Sequence, residues 1–282
     1  FPTRRSSDLS DEVGAVGAVS NCAGNNQQLD IEFETIDEYI EFGGKLSEVE
    51  YPLVEERVRL SGFAVLVKNK VFNLVSGFDE DFTPGYFEDD ALSIEILKRG
   101  CRLLCVASAF VFHAGSQSFL KNKDVYDIFY KHRDLFNRKF GFNILNYADY
   151  DETIVDYIPF DENLSFKVLE LNCGLGANLK MLRSLFRNAE FYGIEKNSAV
   201  RNIVNKTENV YETIEELVAD NYSIRFDLII WDSEEFAKSF NNYELNMIEK
   251  ISDENTIIIN ITKRYKDFEF EKIKLVIWDL DD

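Results

Sequence analysis

Three consecutive carboxylates, Glu88, Asp89 and Asp90, precede a histidine, His113, in the stretch GFDEDFTPGYFEDDALSIEILKRGCRLLCVASAFVFHAG (Gly77–Gly115). A carboxylate can take a proton from a hydroxyl, and an imidazole can bind a proton or a metal ion. Acids also suit the first turn of a helix, and a histidine that closes an apolar strand often has a structural role. The residue types therefore allow either catalysis or ordinary helix capping, and the surrounding helices and strands have to distinguish these two roles.

The pattern around these residues predicts a loop, a helix and a strand. Gly77 and Gly85 interrupt the chain before the acids, and the apolar spacing of ALSIEIL predicts a helix that ends at Gly100. The apolar run LLCVA then predicts a strand that leads to His113. The carboxylates are thus expected at the start of a helix and the imidazole at the end of a strand.

Three stretches together resemble the acceptor half of family 2 glycosyltransferases, which are inverting enzymes of the GT-A fold. They are Gly77–Gly115, VGAVGAVSNCAGNNQ (Val13–Gln27) and SGFAVLVKNKVFNLVSGFDE (Ser61–Glu80). The resemblance implies that Asp89 is the general base for an acceptor hydroxyl and that Glu88 supports it.

The same resemblance implies a divalent cation, Mn or Mg, on the diphosphate of a nucleotide-sugar donor. His113 matches the histidine that helps an upstream Asp-x-Asp motif to hold this metal. In the family that motif lies before the strand that matches VGAVGAVSN, and the residues before Val13 do not supply it. The implied acceptor is a glycan or protein hydroxyl, as in surface glycan or flagellin glycosylation.

A second candidate site follows the short apolar strand KVLEL (Lys167–Leu171). The turn NCGLGAN contains Gly174 and Gly176, which let backbone amides at a helix start approach a ligand closely. Glu195 ends the next strand, FYGIE, at the distance expected for a residue that binds ribose hydroxyls. This pattern predicts a nucleoside-binding βαβ unit.

The motifs ELNCGLGANL and FYGIE resemble motif I and the following acidic strand of class I S-adenosylmethionine-dependent methyltransferases. The resemblance implies that Glu170, Gly174 and Gly176 line the methionine portion of the cofactor and that Glu195 binds its ribose. A dinucleotide dehydrogenase is the alternative, although its fingerprint wants a third glycine where Leu179 stands.

Later segments resemble further strands of the same methyltransferase fold. RFDLIIWDS (Arg225–Ser233) matches the fourth strand and places Asp232 at its carboxyl end, where the resemblance implies that it is a further cofactor-binding residue. TIIINIT (Thr256–Thr262) matches the fifth strand. The segment from Thr262 to Lys274 is too short for the antiparallel strands that usually complete the fold. We therefore expect a compact domain, for which the sequence names no obligatory nucleophile.

The two ends carry further resemblances. FPTRRSSDL (Phe1–Leu9) resembles a translated sequencing adaptor and is excluded from fold reasoning. KLVIWDLDD (Lys274–Asp282) resembles the start of haloacid-dehalogenase-type phosphatases, which implies nucleophile and acid–base roles for Asp279 and Asp281 if a whole domain follows. A strand with a solvated acidic tail is the alternative.

Charge and composition exclude some partners. With 31 basic and 51 acidic residues, the formal net charge is −20. This charge argues against binding to nucleic acid or to an anionic membrane, since both demand a positive surface. The 4 cysteines show neither zinc spacing nor a disulfide framework, and no transmembrane run of 18 apolar residues occurs. We therefore expect a cytoplasmic protein.

Two helices are predicted outside these motifs. Ile36 to Glu50 has helical spacing, with an interruption at Gly43 and Gly44. Val125–Phe140 has apolar residues at helical spacing and ends before Gly141, with His132 expected on its exposed side.

The sequence thus predicts an α/β protein in which a partial GT-A glycosyltransferase domain precedes a compact Rossmann-like methyltransferase domain. The predicted organisation is an adaptor-like artefact (1–9), a glycosyltransferase part (10–142), a linker (143–164), a methyltransferase-like domain (165–268) and a truncated phosphatase-like start (272–282). The predicted function is glycosyl transfer with inversion by a piece of a bacterial-type bifunctional enzyme. The alternatives are a methyltransferase as the principal activity or a non-catalytic nucleotide- or S-adenosylmethionine-binding module.

Overall fold

The computed structural model describes residues 12–49, 53–115, 125–148, 150–231 and 242–260. The chain divides into two compact units, Phe1–Asp149 and Tyr150–Asp282. Asp232, Asp279 and Asp281 lie outside the described residues, as do the adaptor-like segment 1–9 and the segment between Thr262 and Lys274. No helix within the described ranges is long and apolar enough to cross a membrane.

The first unit is built on a mixed four-stranded sheet in the order β2-β4-β1-β3. Its strands are β1 (Val13–Val19), β2 (Val54–Arg57), β3 (Val65–Val67) and β4 (Arg102–Phe110). The two central strands, β1 and β4, are parallel, and each has an antiparallel neighbour at the edge. Because β1 and β4 are parallel neighbours, the residues that follow them meet at one edge of the sheet.

The described residues of this unit form the α-helices α1 (Ile36–Ser47), α2 (Asn69–Leu74), α3 (Glu88–Lys98) and α4 (Val125–Phe140). Helix α3 is joined to β4 by a short turn and packs against it. The helix therefore runs back along the strand, which brings the start of α3 to the edge where β4 ends. Turns of 3₁₀ helix at Glu80–Phe82 and Ile144–Asn146 complete the unit.

Helix α1 corrects the prediction of an interruption at Gly43 and Gly44, because it continues through both glycines. A β-carbon on Gly43 would lie 2.9 Å from the ring of Phe110, so this glycine lets the helix approach the end of β4. Thr35 caps the helix and forms a reciprocal capping box with Glu38, which fixes the first turn.

The second unit contains a five-stranded sheet in the order β7-β6-β5-β8-β9, and all neighbouring strands are parallel. Its strands are β5 (Lys167–Leu171), β6 (Glu190–Ile194), β7 (Asn209–Tyr211), β8 (Leu228–Trp231) and β9 (Ile257–Asn260). The helices are α5 (Ala177–Leu185), α6 (Ser198–Val204), α7 (Ile214–Asp220) and α8 (Asn242–Ile251), and a 3₁₀ turn covers Glu152–Tyr157. The expected α/β fold with a parallel, Rossmann-like sheet is confirmed.

Alternating residues of β5 face two separate cores. Val168 belongs to a core that includes residues of α5 and of the 3₁₀ turn, whereas Leu169 and Leu171 belong to a core that includes residues of α7 and α8. The sheet is therefore covered on both faces, as expected for parallel strands with helical crossovers.

Candidate functional site

The three carboxylates of the first unit follow a strained turn. Tyr86 and Phe87 both have left-handed backbones, with φ of 68° and 69°. Non-glycine residues adopt this conformation at an energetic cost, and such strain concentrates at functional sites. Phe87 occupies the N-cap position of α3 without a side-chain capping bond, and the acids follow it.

Both oxygens of the Asp89 carboxylate accept hydrogen bonds from backbone amides. Its Oδ2 accepts a hydrogen bond of 2.9 Å from the backbone amide of Gly62, in the loop between β2 and β3. Its Oδ1 accepts one of 2.9 Å from the amide of Asp90. Two backbone donors thus orient this carboxylate, as a positioned general base requires.

The two neighbouring acids are partly withdrawn from water. The Oε2 atom of Glu88 is buried and has no hydrogen-bond partner among the described residues. Burial raises the pKa of Glu88, and the charge of Asp89 adds to the rise. Burial and the charge of Asp89 likewise raise the pKa of Asp90 to about 7, although Arg59 lies 3.5 Å from Asp90 and opposes the shift.

His113 is fixed at the edge where β1 and β4 end. Its backbone amide donates to Asn21 Oδ1 at 2.9 Å, and Asn21 Nδ2 donates to its carbonyl at 3.2 Å. Its Nδ1 lies 2.8 Å from the carbonyl oxygen of Cys22, which can only accept, so Nδ1 carries the proton. The Nε2 lone pair is therefore the one that could bind a proton or a metal ion.

One cavity of about 470 Å³ brings these residues together. Glu88, Asp89, Asp90 and His113 all line it, with Arg59 among them. Aromatic side chains also reach the cavity: Phe63, Tyr86, Phe87 and Phe129. Within the described ranges, no group of three or more His, Cys, Asp or Glu side chains could hold a metal ion.

His132 corrects another prediction, since it is buried rather than exposed, with 1% of its surface accessible. Its Nδ1 donates a hydrogen bond of 2.7 Å to the carbonyl of Gly85, the residue before the strained turn. The sequence held a signal for this position, because His132 lies in register with Phe129 and Phe136 on the apolar side of α4. Residue type alone had suggested exposure.

In the second unit, the predicted glycine turn joins β5 to α5. Gly174 and Gly176 have left-handed backbones, with φ of 56° and 75°, and both are buried. The turn lies against β6: the amide of Cys173 donates to the carbonyl of Ile194 at 3.0 Å. A β-carbon on Gly193 would lie 2.5 Å from Cys173 Sγ, so only glycine allows this approach.

Glu170 and Glu195, two of the predicted cofactor-binding carboxylates of this unit, are also buried. Glu195 is 1% exposed, and its oxygens accept hydrogen bonds from the backbone amides of Gly174 (3.0 Å) and Asn197 (2.6 Å). Burial raises the pKa of Glu195. Glu170, also 1% exposed, accepts a bond of 2.6 Å from Asn178 Nδ2. Thus Glu170, Gly174, Gly176 and Glu195 lie together at the carboxyl ends of β5 and β6.

A buried ion pair beside the glycine turn was not expected from the sequence. Lys180 Nζ lies 2.9 Å from Glu208 Oε1, and both side chains are 1% exposed. Arg183 donates to both oxygens of the same carboxylate. The pair joins α5 to the segment between α6 and β7.

No protein-family model matches the chain, and no curated protein matches it. Chains that are similar in structure include S-adenosylmethionine-dependent methyltransferases. PKMT2 from Rickettsia typhi is 23% identical, covers 36% of this chain and 21% of its own, and has a TM-score of 0.27. A methyltransferase from Archaeoglobus fulgidus is 18% identical (43% and 54% covered, TM-score 0.30). The sugar N-methyltransferase KedS8 from Streptoalloteichus sp. ATCC 53650 is 19% identical (44% and 51% covered, TM-score 0.30).

The chain spans between about a fifth and about half of the length of these solved chains. Structural similarity at these TM-scores supports no conclusion about function.

Proposed function

We propose that the second unit binds S-adenosylmethionine at the carboxyl edge of its sheet and serves as a methyltransferase-like module. The observation that carries this proposal is the strand order. Successive strands add outward from β5 through β6 to β7, and the order then reverses to β8 and β9. In open α/β sheets, ligands bind beyond the carboxyl ends of the strands at such a reversal, and the glycine turn follows β5 at this point.

The packing of α5 favours S-adenosylmethionine over a dinucleotide. The third glycine of a dinucleotide fingerprint permits close packing of the helix on the strand. Leu179 stands at that position, is fully buried and belongs to the core between α5 and the sheet. The helix therefore packs through a large side chain rather than through a glycine.

Calorimetric titration of the full chain with S-adenosylhomocysteine and, separately, with NAD⁺ tests the proposal. We expect binding of the first only. A matched pair of variants locates the site: Gly176→Ala places a β-carbon where φ is 75°, whereas Gly44→Ala meets no atom within 4 Å. Since a left-handed backbone costs an L-residue about 1–2 kcal/mol, we expect Gly176→Ala to weaken binding by roughly 5- to 30-fold and Gly44→Ala to leave it unchanged. Equal binding of NAD⁺, or no binding of either ligand, would refute the proposal.

A second candidate function, inverting glycosyl transfer, is favoured by the cavity of the first unit. Glu88 and Asp89 begin α3, whereas His113 follows β4, and all three line this cavity. In this proposal the carboxylate of Asp89 takes the proton of an acceptor hydroxyl as its oxygen bonds to the anomeric carbon and the bond to the nucleoside diphosphate breaks.

The neighbouring groups have supporting roles in this proposal. Glu88 lines the cavity beside Asp89 and supports it, and aromatic rings such as Tyr86 offer a face for a sugar ring. A divalent cation, when bound, supplies neutralisation of the charge that develops on the departing diphosphate. His113 Nε2 could act as a metal ligand, because Nδ1 donates its proton to a carbonyl oxygen. The described residues contain no group of three or more His, Cys, Asp or Glu side chains that could hold a metal ion.

Release of nucleoside diphosphate from a panel of nucleotide sugars, measured with manganese and a hydroxyl acceptor, tests this second function. Asp89→Asn is compared with Asp81→Asn, because Asp81 is an exposed carboxylate that pairs with Lys139 and does not line the cavity. We expect turnover to fall by roughly 10²- to 10⁴-fold in Asp89→Asn alone, which is the usual contribution of a general base. Equal turnover in the two variants would exclude Asp89 as the base.

A further inference from the structure

Glu195 occupies an unusual place for a residue that is expected to bind a ribose. A carboxylate that binds hydroxyl groups of a ligand has to face the ligand site. In this chain the carboxylate of Glu195 is enclosed, and each oxygen already accepts a backbone hydrogen bond. The two donors, the amides of Gly174 and Asn197, come from the loops that follow β5 and β6.

The surrounding contacts hold these two loops against each other. The amide of Cys173 donates to the carbonyl of Ile194, and the amide of Gly174 then donates to Glu195. On the other side, Arg201 donates to the backbone carbonyl of Glu195 at 2.7 Å and so fixes the loop after β6. The Glu195 side chain is therefore a polar link between the glycine turn and a loop that Arg201 anchors.

Charge strengthens this link. Hydrogen bonds to an ionised acceptor are stronger than neutral ones, and two backbone donors compensate part of the cost of burying the carboxylate. Burial raises the pKa of Glu195, and these same two hydrogen bonds oppose the rise. The groups that face the carboxylate thus stabilise its charge without a ligand.

We propose that Glu195 is a positioning residue that holds the glycine turn closed against the loop after β6, and that it does not contact the ribose of a bound nucleoside. The first half of this proposal concerns the chain alone. The second half rests on the proposed binding of S-adenosylmethionine.

Amide hydrogen exchange in the full chain tests the first half without any ligand. Glu195→Gln keeps the size of the side chain but replaces one acceptor oxygen by a donor. The control is Glu190→Gln, because Glu190 begins the strand β6 that Glu195 follows, is exposed and pairs with Lys167 at 3.3 Å. We expect exchange at the amides of Gly174 and Asn197 to accelerate by roughly 10- to 100-fold in Glu195→Gln, as fits the loss of a bond to a charged acceptor, and not in the control.

Amides in β5 and β8 report whether the effect is local. Unchanged exchange at Gly174 and Asn197, or an equal acceleration in the two strands, would overturn the positioning role. If Glu195→Gln fails to fold, Glu195→Asp takes its place, since it keeps the charge but shortens the reach. The same selective acceleration is then expected at the two loop amides.

A ligand comparison tests the second half. The dissociation constants of S-adenosylhomocysteine and its 2′,3′-dideoxy analogue are measured for the wild-type chain and for the Glu195 variant. If Glu195 does not contact the ribose, its substitution should change both dissociation constants by the same factor, because independent effects on the binding free energy add. The ratio of the two constants should then differ by less than about twofold between the wild-type chain and the variant. A ratio that falls to one in the variant would show direct contact and overturn this half. If S-adenosylhomocysteine does not bind the wild-type chain, the proposed function fails, while the exchange result still decides the role of Glu195.

Discussion

At the residue scale, the first unit concentrates negative charge where it is poorly solvated. Glu88, Asp89 and Asp90 follow one another at the start of α3, and Arg59 is the cation that lies beside Asp90. The helix dipole favours acids in this turn, but burial and mutual repulsion favour the protonated forms. The raised pKa values of Glu88 and Asp90 express this conflict.

Asp90 should make the stability of the first unit depend on pH. Its pKa is about 7 in the folded chain and close to 3.8 when unfolded, so between these values the native state binds a proton that the unfolded state lacks. The free energy of unfolding should therefore fall as the pH rises from about 4 to about 7, by at most about 1.4 kcal/mol per pH unit for this one proton. Urea unfolding followed at the amide NMR signals of β1 measures it.

The matched variants for this pH dependence are Asp90→Asn and Asp81→Asn. The first removes the titrating group and should flatten the dependence. The second should not, because Lys139 lowers the pKa of Asp81. A wild-type profile that is already flat between pH 4 and pH 7 would show that Asp90 is ionised throughout.

His132 provides a second prediction at this scale. His132→Phe preserves the ring but leaves the carbonyl of Gly85 without its donor, so we expect the first unit to lose about 1–3 kcal/mol of stability. His132→Asn can place an amide N–H near the position of Nδ1 and should restore part of the loss. Unfolding in urea measures both, and equal stabilities of the two variants would deny the hydrogen bond any role.

At the element scale, two adjacent glycines in α1 have opposite surroundings. Gly43 faces the ring of Phe110, which itself contacts Phe42 and Tyr39, whereas a β-carbon on Gly44 would meet no atom within 4 Å. The helix therefore depends on one glycine for packing and merely tolerates the other.

Alanine substitutions should separate the two glycines. Gly44→Ala should stabilise the first unit by about 0.5–1 kcal/mol, because alanine has the higher helix propensity. Gly43→Ala should gain less or be destabilising, since its β-carbon would lie 2.9 Å from a ring carbon that other aromatic side chains hold in place. Thermal unfolding compares them, and equal gains would show that α1 does not pack closely on Phe110.

The buried ion pair between α5 and the segment before β7 gives a further prediction at the element scale. Glu208→Gln removes the negative charge opposite Lys180 and Arg183, and breaking a buried pair typically costs about 3–5 kcal/mol. The exposed pair of Glu190 with Lys167 is the control, and Glu190→Gln should cost less than about 1 kcal/mol. Urea unfolding followed at the amide signals of β5 measures both. Similar costs would mean that water reaches Lys180.

At the scale of the whole molecule, local sequence patterns predicted the helices and strands better than they predicted the tertiary contacts of individual residues. The strand–glycine turn–helix of the second unit and the helix that begins at Glu88 follow from periodicity and turn residues, and the structure confirms them. The continuous α1 was missed because the role of Gly43 depends on Phe110, which is distant in sequence. The burial of His132 was missed because its partner, the Gly85 carbonyl, is a backbone group that no sequence pattern displays.

In the candidate sites, too, the sequence singled out residues but not their hydrogen-bond partners. Asp89 and His113 line one cavity, but no sequence pattern displays their hydrogen-bond partners, which include the amide of Gly62 and the carbonyl of Cys22. Likewise the sequence indicates that Glu195 follows the strand after the glycine turn, while its two backbone donors could be known only once the loops were folded.

The central claim is that the second unit binds S-adenosylmethionine where its strand order reverses. Amide NMR of the isotopically labelled full chain, titrated with S-adenosylhomocysteine, tests it most directly. We predict saturable shifts that cluster at residues 172–176 and 195–197, with none in the first unit. No shifts at millimolar ligand, or shifts confined to residues that line the cavity with Asp89 and His113, would contradict the claim.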